Sequence, residues 1–236
     1  MSGLIREESM RVKVLRQKSP ISKPYWQEFS YEGKENETVA GVLTELNYKD
    51  DLVDANGNPA PRIQWEHSCL QGMCGACAMV INHRPALACE TFLKDLRRDT
   101  LILEPLKKFP TIIDLVVDRT IIQENLKKAN AYIESCTGAD NREYDHMYAA
   151  AKCLKCGLCM EICPNYKSGQ NFYGAAFAND CYLIANRSET REKEIKDSFR
   201  HSFEKGCSKS LSCVDVCPMH IPTMWSIASL SKHKNR

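Results

Sequence analysis

A chain of 236 residues has room for two modest domains or one large one. Its 32 Lys and Arg against 30 Asp and Glu leave a formal net charge of +2, and such a mixed surface carries no electrostatic footprint for nucleic acid. No apolar stretch approaches the ~18–20 residues needed to span a bilayer. The opening "MSGLIREESMRVKV" has neither a signal-peptide apolar core nor the Arg/Ser-rich, acid-poor look of a transit peptide, so a soluble chain, or one bound peripherally on a cytoplasmic membrane face, is expected.

Along the chain, "MRVKVLR" (10–16) alternates with Met10, Val12 and Val14 on one face, the pattern of a half-buried strand. After the breaker "SPISKP", "YWQEFSY" (25–31) alternates too. Val39, Val42, Leu43 and Leu46 recur at i, i+3, i+4 and i+7, one face of a short helix. "CAMVINHRPALAC" reads as a hairpin turning at Asn82-His83, and "TLILEP" (100–105) as a last strand. These elements make a small α+β sheet domain, placed at residues 1–115. From residue 116 to 236 the pattern turns helical and is punctuated by cysteine loops. Thr120 and Gln123 have capping-box spacing, with Ile122, Leu126 and Ile133 inward. Further helices are expected over 144–152, 174–187 and 190–205, the last with a core stripe of Ile195, Phe199 and Phe203.

Thirteen cysteines is a high count for this length. Disulfides suit small secreted domains, whereas an odd number of clustered cysteines without a signal peptide points to metal. "CLQGMCGAC" and the following "ALAC" place Cys69, Cys74, Cys77 and Cys89 at spacing x4, x2, x11, which is the plant-type [2Fe-2S] ligand pattern. Gly72 and Gly75 lie where the backbone must wrap close to a cluster and aim N–H groups at its sulfurs. A structural zinc site is the competing reading, since four thiolates also suit zinc, although zinc sites usually pair two short knuckles.

"CLKCGLCMEICP" (153–164) is the bacterial ferredoxin run, whose fourth cysteine ligates the other cluster in two-cluster proteins. By that rule Cys153, Cys156 and Cys159 bind one [4Fe-4S] cluster, completed reciprocally by Cys217. Cys163 crosses to a second cluster with Cys207 and Cys213. The second run, "CSKSLSCVDVCP", lacks a cysteine between 207 and 213. Three thiolates suit a [3Fe-4S] cluster; the alternative is Ser210 ligating a fourth iron through its harder oxygen. Three clusters on one chain make an electron wire. No Gly-rich nucleotide fingerprint, P-loop or Ser/His/Asp set accompanies them.

With "SCLQGMCGACAMVINHRPALAC", "CLKCGLCMEICPNY", "CSKSLSCVDVCP", and the connecting "FPTIIDLVVDR" and "YGAAFANDCYLIANRSE", nearly the whole chain resembles the iron–sulfur subunit of succinate dehydrogenase and fumarate reductase. The resemblance implies an N-terminal β-grasp plant-type [2Fe-2S] ferredoxin domain followed by an α-helical bacterial-ferredoxin-like domain. It implies two partners, an FAD-containing flavoprotein where succinate and fumarate interconvert and a membrane-anchor subunit that exchanges electrons with quinone. Many members of the family place a Trp and a His beside a quinone pocket where this chain has Ser168 and Ser208. That departure resembles members whose anchor is a cytochrome b carrying haem b. The other readings are the iron–sulfur subunit of a related flavoenzyme with another substrate and a freestanding multi-cluster ferredoxin.

Outside these motifs, Cys136 and Cys181 are expected as small buried apolar residues. His67, His83, His201 and His220 are expected at the surface or in loops without a ligand role. The basic tail "SKHKNR" is expected to be solvated.

Overall fold

The computed structural model describes residues 9–34, 36–96, 99–136 and 143–232; the first eight residues and the last four of the basic tail lie outside them. The chain divides into two compact units, Met1–Asp118 and Arg119–Arg236.

In the first unit β1 (Met10–Arg16) and β2 (Tyr25–Tyr31) pair antiparallel. The sheet order is β2-β1-β5-β3-β4, with β3 at Ala78–Ile81, β4 at Arg84–Leu87 and β5 at Thr100–Glu104. β1 and β5 run parallel at the centre, while β3 is antiparallel to both β4 and β5. Such a central parallel pair needs a long crossover; here it holds α1 (Val39–Tyr48) and all four cysteines of the first group. The β3–β4 hairpin turns through Asn82 (φ 45°) and His83 (φ 68°), both left-handed, as a two-residue turn matched to strand twist requires. The Asn82 side chain accepts from the Ile102 N–H at 2.7 Å, tying the turn to β5. α1 is capped by Thr38, whose Oγ1 accepts from Gly41 N at 3.0 Å. Its Val39, Val42, Leu43 and Leu46 bury with Val12, Val14, Phe29, Leu101 and Leu103 as the core.

One buried group in this unit contradicts the apolar pattern. Arg16 ends β1 fully buried and pairs with the equally buried Asp114 at 2.9 Å. Its guanidinium also donates to Gln27 Oε1 (2.8 Å) and to the carbonyls of Pro61 and Arg62 (3.2 and 3.1 Å). Asp114, left-handed at φ 45°, accepts from the backbone N–H groups of Gln17 and Gln64 at 3.0 and 2.9 Å. Two charges so enclosed are tolerable only because hydrogen bonds surround them. Asp114 sits between β6 (Thr111–Ile113) and β7 (Val116–Val117), which pair with each other. That pairing keeps β7 in the first unit, so the observed division falls three residues after the expected one at 115/116.

The second unit is helical: α3 (Ile121–Lys128), α4 (Tyr144–Ala151), α5 (Leu158–Ile162), α6 (Gly174–Arg187), α7 (Glu192–Ser202), α8 (Ser212–Asp215) and α9 (Thr223–Ser231), with a four-residue helix, α2 (Leu93–Leu96), left behind in the first unit. α6 is the central helix, rich in alanine and buried along most of its length. Phe177, Cys181, Tyr182 and Ala185 on α6 meet Ile195 and Phe199 of α7, Leu230 of α9 and the flanking Phe203. Phe199 stacks on Phe203 at 5.0 Å, and burying such a side chain contributes about 1.5–3 kcal/mol.

Three expectations need correction. Thr120 has helical backbone angles and makes no side-chain capping bond, so the box with Gln123 does not form. Ile133 lies beyond the end of α3 and is 43% exposed, because the helix stops at Lys128. Cys136 is exposed, in a single bridge to Ser188, whereas Cys181 is fully buried as expected.

Candidate metal centres

In the first unit Cys69, Cys74 and Cys77 lie on the loop entering β3, and Cys89 sits in a single 3-10 turn, Ala88–Glu90, directly after β4. The hairpin therefore carries Cys89 back to the loop, where Cys77 and Cys89 bring their sulfurs to 3.3 Å. Leu70, Gly72 and Gly75 are left-handed (φ 54°, 70° and 75°), which turns backbone N–H groups toward sulfur. Gln71 N and Met73 N donate to Cys69 Sγ (3.4 and 3.3 Å), and Gly72 N donates to Cys89 Sγ (3.3 Å). A Cβ at Gly72 would meet the Glu90 carboxylate at 2.7 Å, so the tight turn needs glycine. The Gln71 N–H and the Cys74 side chain lower the Cys69 thiol to about 7. Burial, with Cys77 second, pushes Cys89 up to about 12. Four soft sulfurs, three from one loop and one from the hairpin's far end, fit the donor set of a thiolate-bound cluster.

In the second unit the two runs come together. Cys153, Cys156, Cys159, Cys213 and Cys217 line one cavity, walled on the other side by Ala175, Ala176 and Asn179 of α6. Lys155 and Gly157 are left-handed in the first run (φ 55° and 87°), and Lys209 and Leu211 in the second (φ 57° and 62°); these turns curl each loop around its sulfurs. Ile221 N donates to Cys217 Sγ at 3.4 Å, and Arg119 Nε holds the carbonyl of Cys156 at 3.2 Å. Asn165 Nδ2 donates to the carbonyl of Gly206 at 2.6 Å, joining the segment after Cys163 to the residue before Cys207.

Burial dominates the acidities here, and the like-charge neighbours sort the thiols. Burial raises Cys156 to about 11, with Cys153 and Cys217 adding repulsion. Cys159 is raised further by burial and then by Cys156, Cys153, Cys213 and Cys217. Burial raises Cys213 to about 11, and its repelling neighbours are Cys163 and Cys207. Cys153, Cys156, Cys159, Cys213 and Cys217 thus form one constellation, and Cys213 also neighbours Cys163 and Cys207. Partly buried thiols held near one another favour a bound cation that takes up thiolate charge.

The remaining sequence candidates fall outside these constellations. Ser210 is exposed and accepts from Ser212 Oγ at 3.4 Å. Ser168 and Ser208 are exposed as well. His67, His83, His201 and His220 are exposed, His83 lying 3.5 Å from Glu104. Sequence reading passed over the charged pair beside the first constellation, Lys155 with Asp180. Lys155 stands inside the C-x2-C step, a position where its charge was legible, but its partner is 25 residues away.

The fold and the cysteine sets define a two-domain, multi-cluster iron–sulfur protein. Residues 11–124 match the 2Fe-2S iron-sulfur cluster binding domain family, and residues 149–221 the 4Fe-4S dicluster domain family. The chain is 32% identical to the succinate dehydrogenase iron-sulfur subunit of Bacillus subtilis, over 97% of this chain and 94% of the relative. It is 28% identical to the fumarate reductase iron-sulfur subunit of Wolinella succinogenes, covering 95% of each. A solved structure of the Mycobacterium smegmatis Sdh1 complex in the apo form contains a chain of the same fold, with TM-score 0.76 at 22% identity and 98% coverage of both. The chain belongs to the family of iron–sulfur subunits of succinate dehydrogenases and fumarate reductases, and it serves as the electron-transfer subunit of an oxidoreductase.

Proposed function

We propose that the eleven cysteines divide among three centres: Cys69, Cys74, Cys77 and Cys89 for [2Fe-2S]; Cys153, Cys156, Cys159 and Cys217 for [4Fe-4S]; Cys163, Cys207 and Cys213 for [3Fe-4S]. The observation that supports this reading is the meeting of the two runs, Cys153, Cys156, Cys159, Cys213 and Cys217 lining one cavity, with serine at 210 where a regular run has cysteine. Clusters bound there supply one-electron storage sites whose potentials depend on type, charge and hydrogen bonding to sulfur. The chain's own part is to hold the thiolates, aim N–H groups at them and exclude water from the helical unit's cavity. Domains 1–115 and 116–236 are read as the two carriers, with the boundary adjusted to 118/119.

The relatives' names, iron-sulfur subunits of succinate dehydrogenase and fumarate reductase, support a place in an enzyme that interconverts succinate and fumarate; the partners in this reading are an FAD flavoprotein and a membrane anchor that exchanges electrons with quinone. The [2Fe-2S] unit faces the flavin and the [3Fe-4S] end faces the anchor. Serine at 168 and 208 favours an anchor that is a cytochrome b with haem b over one that shares a quinone pocket with this chain. Among the described residues no helix is long and apolar enough to cross a membrane; in this reading the anchor holds the subunit peripherally, on the cytoplasmic side.

Electron paramagnetic resonance on tagged complex drawn from native membranes tests the whole assignment. A three-iron signal in the oxidised sample and reduction of [2Fe-2S] by succinate are expected. Clusters reducible by dithionite but not by succinate would remove the assigned substrate. A Ser210→Cys variant is expected to lose the three-iron signal and gain a second four-iron one; an unchanged spectrum would remove the missing-cysteine argument.

A further inference from the structure

Lys155 sits between two cavity-lining cysteines and holds a left-handed backbone (φ 55°), a conformation unfavourable for a non-glycine residue. Its ammonium reaches α6 and pairs with Asp180. Asp180 is nearly buried (its side chain 8% exposed), and its second oxygen finds no hydrogen-bond partner among the described residues. The carboxylate thus rests on this lysine. Its chain neighbour Asn179 lines the same cavity as the cysteines. A buried ion pair is a weak source of stability, since apolar residues of similar volume often serve as well. Its position offers a different use, because Lys155 itself lines the cysteine cavity and brings the Asp180 carboxylate to the same loop.

We propose that Lys155 and Asp180 form a charge pair that tunes the reduction potential of the four-iron centre, the lysine favouring the reduced state and the aspartate offsetting it. The inference rests on reading Cys153, Cys156, Cys159 and Cys217 as that centre's ligands. Accepting one electron makes the centre one unit more negative, with no bond made or broken. A cation beside it therefore stabilises the reduced form and an anion the oxidised form. With the Asp180 side chain only 8% exposed, such charges are screened less than in bulk water. Neither residue touches substrate; both are positioning residues acting through the field at the cluster.

The test is a redox titration of the intact complex from native membranes, followed by electron paramagnetic resonance, on the wild type, Asp180→Asn and the double variant Lys155→Met/Asp180→Asn. Asp180→Asn is expected to raise the reduced-to-oxidised ratio of the four-iron centre about tenfold at a fixed potential, an upward midpoint shift of about 59 mV for one electron. The double variant returns the midpoint to the wild-type value or below, and the [2Fe-2S] midpoint stays in place throughout. An Asp180→Asn midpoint that is unmoved or lowered overturns the proposal, as does a rise that adding Lys155→Met leaves unreversed. Loss of the four-iron signal in Asp180→Asn overturns it too, the pair then being a folding contact. A wild type without a four-iron signal removes the ligand reading itself, and the inference falls with it.

Discussion

The two units treat their cysteines in opposite ways. The sheet unit closes an apolar core from Val12, Val14, Phe29, Leu43, Leu101 and Leu103, with Cys77 and Cys89 buried and Cys69 and Cys74 partly buried on the one loop that enters β3. The helical unit curls two loops around an interior cavity, and cysteines form much of its wall. The first unit thus draws most of its cysteines from one loop, whereas the second brings two distant runs to one cavity. The difference teaches where iron contributes to folding free energy. Where thiols from two distant runs line one cavity, the metal that joins them also ties those runs together.

The most severe way to break this contrast is to remove iron. After chelation under reducing conditions, the helical unit is expected to lose its cooperative unfolding transition and become protease-sensitive after Arg119. The sheet unit keeps its transition; limited proteolysis with mass spectrometry reads both, and equal sensitivity of the two units would erase the distinction.

The next largest effect is confined to the sheet unit. Asp114→Ala leaves Arg16 buried without its counter-ion, and removing one member of a buried pair costs about 3–5 kcal/mol. Denaturant titration of the iron-loaded protein should show that loss, and a change below about 1 kcal/mol would mean that water reaches Arg16.

A smaller effect separates two free cysteines. Cys181→Ser puts a hydroxyl into the α6 core, where burial without a partner costs about 1–3 kcal/mol. Cys136→Ser, on an exposed residue, should leave the midpoint within error, so comparable losses would refute the burial assignment.

The smallest effect is one of pH. Burial, then the nearby Glu45 and Glu37, raises Tyr31 from 10.0 to about 12. An acid raised on folding contributes stability that is fully present below pH 10 and lost as pH climbs through about 12. Tyr31→Phe should flatten that alkaline decline in the sheet unit's stability. An unchanged slope would place the phenol in water.

Much of the fold was legible. The alternation of "MRVKVLR" and "YWQEFSY" marks β1 and β2 to the residue, because a two-residue period survives in sequence wherever one face is buried. The helix expected over 174–187 matches α6, since its apolar content is high and a left-handed glycine opens it. Boundaries written only in local chemistry did less well. Thr120 and Gln123 have the spacing of a capping box, but Thr120 takes helical angles and the box is not made.

The sequence by itself determined the number and order of the cysteines, because ligand spacing is a property of the chain and iron–sulfur chemistry demands thiolates at short, repeated intervals. It determined the change from period-2 to helical patterning near residue 116, and the serine at 210 where a fourth cysteine would stand. Tertiary structure alone decided which distant groups meet. Arg16 and Asp114 are 98 residues apart, and nothing in the pattern of β1 marks its last residue as a buried cation. Lys155 finds Asp180 only because α6 forms the far wall of the cysteine cavity. The physical reason is common to both pairs. A charge survives burial through a partner supplied by the fold, and periodicity, which records only whether a face is wet or dry, is silent about that partner.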